Sequence, residues 1–176
     1  MAFERESFLN VLEDSYSAYY NIIKENLPAE LPIAFKADYF RRAESYWISK
    51  NITTWANETN EFAFIFSADH FDDATISKCI QYSLDDGLPR VKPHKEHQYT
   101  NIKTIFIAEK FDDDAIADIK KRKFSKTYNH SLWGYSNLVA CAVDLDDEKV
   151  WTNAAGRDLK KYFKKLFSAQ KKLSCK

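Results

Sequence analysis

Apolar residues recur along this chain with two different periods, and each period predicts a different kind of element. Where they return every three or four residues they form one face of a helix. Four segments show this spacing: residues 3–26, 71–84, 112–122 and 154–167. Pro28 ends the first predicted helix, and the run Asp85-Asp86-Gly87 ends the second.

Strands are predicted where apolar and polar residues alternate, or where a short run is entirely apolar. They are expected at residues 33–41, 44–55, 61–67, 102–108, 126–132, 138–145 and 149–152. Polar turns at Arg41–Arg42 and Asn57–Asn60 would join the first three into an antiparallel meander. The apolar run Phe62–Phe66 is typical of a central strand that is covered on both faces.

The order of these elements predicts the fold class. It is α-β-β-β-α-β-α-β-β-α, with the stretch 126–132 as an additional edge strand. Frequent hairpins combined with two strand–helix–strand connections indicate an α+β protein with a mixed, mostly antiparallel sheet. At 176 residues the chain is expected to form one domain, residues 1–176, that ends in a basic helix at about 154–170.

The composition excludes several classes of function. Only three glycines are present, so the chain has no glycine-rich phosphate loop and no nucleophile elbow. Cys79, Cys141 and Cys175 form no C-x-x-C pair, and the first two lie in apolar patterns that predict burial. The acidic start of the chain and the lack of a long apolar run predict a cytoplasmic protein without a membrane span.

Charge is balanced overall but unevenly placed. The formal net charge is zero, which argues against a strongly basic nucleic-acid protein, yet eight basic side chains and one acidic side chain follow position 156. On the last helix an anion-binding face is predicted at Lys160, Lys161, Lys164 and Lys165. The alternative is a solvated face that complements an acidic surface, on a second copy in a homo-oligomer or on a protein partner.

Residues 65–76 and 105–116 form a short internal repeat in which seven of twelve positions are identical. Each copy contains a strand, an acidic loop and the start of a helix. If the two strands are parallel neighbours, a site for Mg²⁺ or Ca²⁺ is predicted at Asp69, Asp72, Glu109 and Asp112. The alternative is that these acidic residues only cap and orient the two helices.

A polar loop before the strand at 102–108 carries His94, Glu96 and His97. The two histidines could bind a metal, with Glu96 as base and His130 as a further ligand. The alternative is that these histidines are exposed and have no chemical role. No cofactor is evident elsewhere in the sequence, so a divalent metal is the one cofactor class that it suggests.

The leading order α-β-β-β-α-β resembles the core of the PD-(D/E)xK nuclease fold, in element order alone. That chemistry needs an Asp and a D/E-x-K on neighbouring strands, where carboxylates hold Mg²⁺ and the lysine positions water. The pattern D-x-K occurs only at Asp118–Lys120, Asp147–Lys149 and Asp158–Lys160, in a predicted helix, a turn and a helix. The third predicted strand reads Glu61-Phe62-Ala63 instead, which argues against nuclease activity.

Two parts of the chain resemble a small family of prokaryotic proteins of unknown function. They are the segment Val91–Thr100, and Val143–Asp146 followed by Val150–Gly156. The resemblance covers most of the chain and implies a prokaryotic, cytoplasmic protein, but it supplies no activity and no functional residue.

These patterns together predict a small soluble binding or interaction module without a catalytic motif. The alternative hypothesis is a metal-dependent hydrolase, nuclease-like in topology, that uses the histidine loop or the acidic sheet edge.

Overall fold

The computed structural model describes residues 4–46 and 53–174. The α-helices in these ranges are α1 Arg5–Ser17, α2 Asp73–Gly87, α3 Asp113–Lys121 and α4 Arg157–Ser174. The strands are β1 Asn21–Ile23, β2 Ile33–Tyr46, β3 Thr53–Ser67, β4 His70–Phe71, β5 His97–Ala108, β6 Lys110–Phe111, β7 Ser125–Thr127, β8 Tyr135–Asp144 and β9 Lys149–Thr152. Short 3₁₀ turns at Leu88–Arg90 and Ala154–Gly156 follow α2 and precede α4.

Within the described residues, seven strands form one mixed sheet in the order β1-β2-β3-β5-β8-β7, with β9 also paired to β8. The three central strands β3, β5 and β8 are parallel, and the pairings that flank them are antiparallel. Helix α2 connects β3 to β5, and α3 connects β5 to β8, which confirms the two predicted strand–helix–strand connections. The chain therefore has the α+β fold and the mostly antiparallel mixed sheet that its element order predicts.

Helices cover the sheet on both faces. On one face, α1 and α4 contribute Phe8, Leu12, Phe163 and Phe167 to the core. On the other face, α2 and α3 contribute Ile76, Ile80, Ala115 and Ile119. The run Phe62–Phe66 is buried throughout, as expected for a strand between two helical layers. No helix in the described ranges has both the length and the apolar character needed to cross a membrane.

The predicted meander at 33–67 is wrong in its turns. Strand β2 continues through Arg41–Arg42 to Tyr46, and β3 continues through Asn57–Asn60, where these residues pair with one another across the ribbon. Their polarity reflects strand positions that are exposed at Arg41–Arg42 and half-buried at Asn57–Asn60, and an ion pair joins Arg42 to Glu58. The predicted strand 44–55 lies partly outside the described residues.

Two other predicted boundaries are also wrong. The first helix ends at Ser17, and Asn21–Ile23 is instead an edge strand that pairs with Lys36–Asp38. The apolar run at its end is compatible with both periods, and the sheet edge determines which one is realised. The edge strand predicted at 126–132 is confined to β7, because a turn with positive φ at Asn129, His130 and Ser131 follows it.

The two copies of the internal repeat contain strands that pair with each other in parallel. Ile65 pairs with Ile105 and Phe66 with Phe106, so the register of β3 and β5 equals the offset of the repeat. The short strands β4 and β6 pair in the same register. Both acidic loops therefore leave the sheet at the same edge, as the repeat predicts. The two helix starts differ, since Asp72 accepts a 2.7 Å hydrogen bond from Thr75 N and Asp112 makes no such cap.

Replacing Asp72 with Ala should lower the melting temperature by about 2–4 °C, because the first turn of α2 loses its cap. Asp112→Ala is the matched control, since Asp112 occupies the equivalent position without a capping hydrogen bond and its side chain contacts the exposed His70. Calorimetry of the two variants measures the difference. Equal losses in both variants would show that the charge near the helix start matters and the hydrogen bond does not.

Candidate functional site

A cleft of about 370 Å³ lies between the sheet and the two helices α1 and α4. Three tyrosines form its walls: Tyr16 of α1, Tyr20 of the turn that follows α1, and Tyr162 of α4. Its floor contains Glu61, Asn101 and Lys103. We call it the tyrosine cleft. The floor residues share one face of the sheet because Glu61 pairs with Asn101, and Ala63 with Lys103, across the parallel strands β3 and β5.

A charged pair occupies the floor of the tyrosine cleft. Lys103 Nζ donates to Glu61 Oε2 and lies 3.3 Å from Tyr20 Oη, and the Tyr20 hydroxyl donates to the same Glu61 oxygen. The Lys103 side chain is 13% exposed and that of Glu61 is 18% exposed. Charges this poorly solvated are stable only when they are paired, and each compensates the other here.

The tyrosines of the cleft stay protonated. Burial raises the pKa of Tyr20 far above its usual value, and the hydrogen bond to the Glu61 carboxylate raises it further. Burial likewise raises the pKa of Tyr16 and of Tyr162. Tyr162 donates its hydroxyl to Ser15 Oγ at 2.8 Å, which links α4 to α1 across the cleft. The hydroxyls therefore act as neutral donors and acceptors and not as phenolate bases.

Among the described residues, no cysteine lines the cleft. Cys141 lies fully buried in the core, where burial raises the pKa of its thiol. The one carboxylate on the floor is Glu61. Asp38 of the adjacent strand β2 is paired opposite Phe62 and faces the other side of the sheet, where it contacts Arg90. Glu61 and Asp38 therefore do not form the two-carboxylate metal site of a nuclease.

The histidine loop packs at the N-terminal end of β5. His94 accepts from Glu96 N at 3.3 Å and donates Nε2–H to Glu58 Oε2 at 2.8 Å. His97 is buried, with Nδ1 donating to the Trp133 carbonyl at 2.8 Å and Nε2 2.9 Å from Thr100 Oγ1. Both ring nitrogens of each histidine are thus committed to hydrogen bonds, and a metal would have to displace them.

The other predicted residues of this loop are engaged or separate. Glu96 forms a 2.7 Å ion pair with Arg42, which also contacts Glu58. Burial alone would raise the pKa of Glu58, but hydrogen bonds from Arg42 and His94 outweigh it and lower that pKa. His130 is exposed in the turn after β7. The structure joins His94 and Glu96 into one surface ion-pair network with β2 and β3.

At the acidic sheet edge, the predicted residues contact other groups of the protein. Arg5 of α1 contacts Asp69 and lies 4.0 Å from Glu109. Asp112 lies 2.9 Å from His70 Nε2, and Asp72 is held by its role as helix cap. Within the described ranges, no group of three or more His, Cys, Asp or Glu side chains is arranged to hold a metal ion.

The predicted anion-binding face of α4 is exposed to solvent at all four positions, Lys160, Lys161, Lys164 and Lys165. Lys161 lies 3.5 Å from Asp158 one turn earlier, an exposed pair of small energetic weight. Further along the helix, Lys171 forms an ion pair with Glu148. Part of the basic charge at the end of the chain therefore compensates acidic groups of the same molecule.

Sequence reasoning missed the tyrosine cleft. Its signal was a lysine inside the apolar strand 102–108 and a glutamate at the start of the apolar strand 61–67. A charge within a strand that is covered on both faces needs a partner, so Lys103 and Glu61 each indicated a buried ion pair without showing which residue completes it. Tyr20 carried no such signal, because its predicted position was inside a helix.

Comparison with curated proteins and with solved structures found no match. A family model did match. Its family is described as a domain of unknown function, DUF8052, and the match covers residues 4–165, so the chain belongs to this family.

Proposed function

We propose that this protein is a binding module that holds a small polar ligand in the tyrosine cleft. The observation that carries the proposal is the Lys103–Glu61–Tyr20 cluster at the floor of a cavity of about 370 Å³. Ligand sites typically have volumes of roughly 300–1,000 Å³, mostly apolar walls and a few convergent polar groups. The tyrosine cleft has each of these properties.

A structural role alone would not favour a cavity at this position. Core clusters on both faces of the sheet are closely packed, with phenylalanine rings 5.3 Å apart at Phe66 and Phe106 and at Phe8 and Phe167. The polar cluster faces open space instead, and the exposed Tyr19 and Asp158 lie at its rim. A ligand that enters this space would meet donors, acceptors and aromatic faces without any rearrangement of the fold.

We also propose where the protein is located and how it associates. We place it in the cytoplasm, in keeping with its reduced, buried Cys79 and Cys141. The exposed lysines of α4 would then serve weak association with a second copy or with an acidic protein partner. Such association should weaken as salt is added, because exposed charges are screened within about 10 Å at 0.1 M salt.

The first experiment is a thermal-shift screen of chelator-treated protein against small metabolites, followed by titration of each hit. A ligand at one hundred times its Kd should raise the melting temperature by about 5–10 °C. Divalent metals belong in the same screen, since the hydrolase hypothesis predicts a metal-dependent rise that Asp72→Asn or Asp112→Asn would abolish.

Lys103→Met should weaken binding of such a hit at least tenfold, because the floor of the cleft loses its cationic donor. Lys36→Met is a closely matched control. Lys36 is also 13% exposed, also pairs with one carboxylate, Asp86 at 3.0 Å, and also lies 5.9 Å from an aromatic ring, but on the opposite face of the sheet. Calorimetric titration of the two variants gives the two affinities.

Two results would refute the proposed function. One is a screen in which no compound shifts the melting temperature of the wild-type protein. The other is a hit that binds Lys103→Met and wild-type protein equally well, which would place its site elsewhere. Loss of binding in both lysine variants would indicate a general loss of structure, and the melting temperatures of the free variants identify that case.

A further inference from the structure

We propose that the ligand of the tyrosine cleft is a neutral carbohydrate, a monosaccharide or a short saccharide end. This inference rests on the proposed function and deepens it. It is carried by three properties of the cleft: its charge balance, its arrangement of donors and acceptors, and the packing of its aromatic rings.

Charge balance favours a neutral ligand. Lys103 and Glu61 compensate each other on the floor, and the rim residue Asp158 lies 3.5 Å from Lys161. An anionic ligand would place its charge beside the Glu61 carboxylate, and a cationic ligand would compete with Lys103 for that carboxylate. A hydroxyl group has neither cost, because it can donate to one member of the pair and accept from the other.

The floor offers alternating donors and acceptors. Lys103 has three N–H donors, of which two are used on Glu61 and Tyr20. Glu61 lines the cleft and its Oε1 has no donor among the described residues, and the Asn101 amide provides one further acceptor and two donors. Adjacent hydroxyls of a sugar ring present the same alternation, so a vicinal diol could bind Glu61 and Asn101 together.

Each tyrosine ring of the cleft walls can offer one face to a ligand, but no two rings form a slot that a flat ring could enter. The Tyr16 and Tyr20 rings lie 4.6 Å apart and tilted by 40°, and the Tyr16 and Tyr162 rings meet edge to face at 6.4 Å. A planar nucleobase or flavin ring could not insert between rings that already touch. The apolar C–H face of a pyranose needs only one ring face. The cavity of about 370 Å³ equals the liquid volume of about twelve waters, a space that suits a hexose ring.

The test is ligand-observed NMR on the full chain with four probe classes: neutral hexoses and their disaccharides, nucleosides, free amino acids, and sugar phosphates. We expect saturation transfer to a neutral saccharide, with C–H protons on one ring face showing the largest effect. Titration calorimetry then gives its affinity. Glu61→Gln should weaken that affinity at least tenfold, and Asn101→Ala is a second variant in case Glu61→Gln loses structure.

Asp86→Asn is the control, because Asp86 accepts from Lys36 on the opposite face as Glu61 does from Lys103. Unchanged saccharide affinity in this variant, with a loss in the two cleft variants, supports the inference. If a nucleoside, an amino acid or a sugar phosphate binds in a Lys103-dependent manner and neutral saccharides do not, the carbohydrate is excluded while the binding function stands. If no class binds, both are refuted.

Discussion

Replacing Arg90 with Met is expected to reduce the free energy of unfolding by about 3 kcal/mol, which urea denaturation would measure. Arg90 holds two carboxylates on the α2 face of the sheet. Its guanidinium contacts Asp38 and lies 3.0 Å from Asp86, and it stacks 4.0 Å above the Phe62 ring. The Asp38 side chain is 10% exposed, and its Oδ1 is buried without a partner in the described ranges.

The loss comes from the charge that Arg90 leaves behind. Burial alone would lower the pKa of Arg90, but its hydrogen bonds to Asp38 and Asp86 outweigh burial and raise that pKa, so the guanidinium stays charged. Without the guanidinium, the Asp38 carboxylate has no cationic partner within hydrogen-bonding distance among the described residues, yet it remains shielded from water. A value at the lower end of the range for buried pairs is appropriate because Arg90 is 29% exposed.

A double variant separates charge from packing. If the uncompensated carboxylate causes the loss, adding Asp38→Asn to Arg90→Met should restore roughly half of it. A lysine at this position, in Arg90→Lys, should recover less of the lost stability than the double variant does. A lysine cannot contact both carboxylates with a planar fork and cannot stack on Phe62 equally well. A loss below about 1 kcal/mol in the single variant, or no recovery in the double variant, would contradict this account.

The parts of the fold that the sequence predicted are those with a local cause. The internal repeat raised a parallel pairing of β3 with β5 as a condition, because both strands lead into an acidic helix start, and its offset equals the register that the structure has. The burial of Phe62–Phe66 and of Cys79 followed from their apolar neighbours alone. Helix α3 was predicted to within one residue at each end, because its charges follow the helix dipole.

The parts that could not be predicted depend on contacts between distant segments. Arg41–Arg42 has the polarity of a turn, and only its pairing with 58–59 makes it part of a strand. The same is true of Asn21–Ile23, which is a strand because Lys36–Asp38 offers it an edge. Short polar or apolar runs are compatible with several local structures, so the choice is made by the sheet.

The tyrosine cleft illustrates the same limit for function. Lys103 meets Glu61 across 42 positions and Tyr20 across 83 positions of the sequence. No spacing rule connects residues so far apart, and none of the three belongs to a recognisable motif. The histidine loop was predicted from neighbouring residues and the acidic edge from an internal repeat, and the structure gives most of those residues hydrogen-bonding and ion-pairing partners instead.

Replacing Gly134 with Ala is the second substitution with a large expected effect, a loss of about 3 kcal/mol in the free energy of unfolding. Gly134 has a φ of +74°, which an alanine adopts only with strain. A Cβ atom there would lie 2.6 Å from the His97 carbonyl oxygen and closer still to that of Gln98. Both obstacles are backbone atoms of β5, so neither can rotate away.

The strain would also affect the two hydrogen bonds that hold the turn containing Gly134 in place. Trp133 accepts from the buried His97, and Tyr128 N donates to the Gly134 carbonyl at 3.1 Å. A shift of the turn that relieves the clash breaks one or both bonds and leaves His97 Nδ1–H without an acceptor inside the protein, which adds a desolvation cost. His97 should then show altered ring proton shifts by NMR, in addition to the fall in stability.

Gly87→Ala is the control that separates these causes from the simple addition of a methyl group. Gly87 is buried at the end of α2 with an ordinary φ, and its new Cβ would lie 3.1 Å from Cδ1 of Ile102. A terminal methyl can move aside, and alanine favours a helix over glycine, so a change within about 1 kcal/mol is expected. If both variants lose the same stability, crowding explains the effect, and the backbone conformation of Gly134 does not.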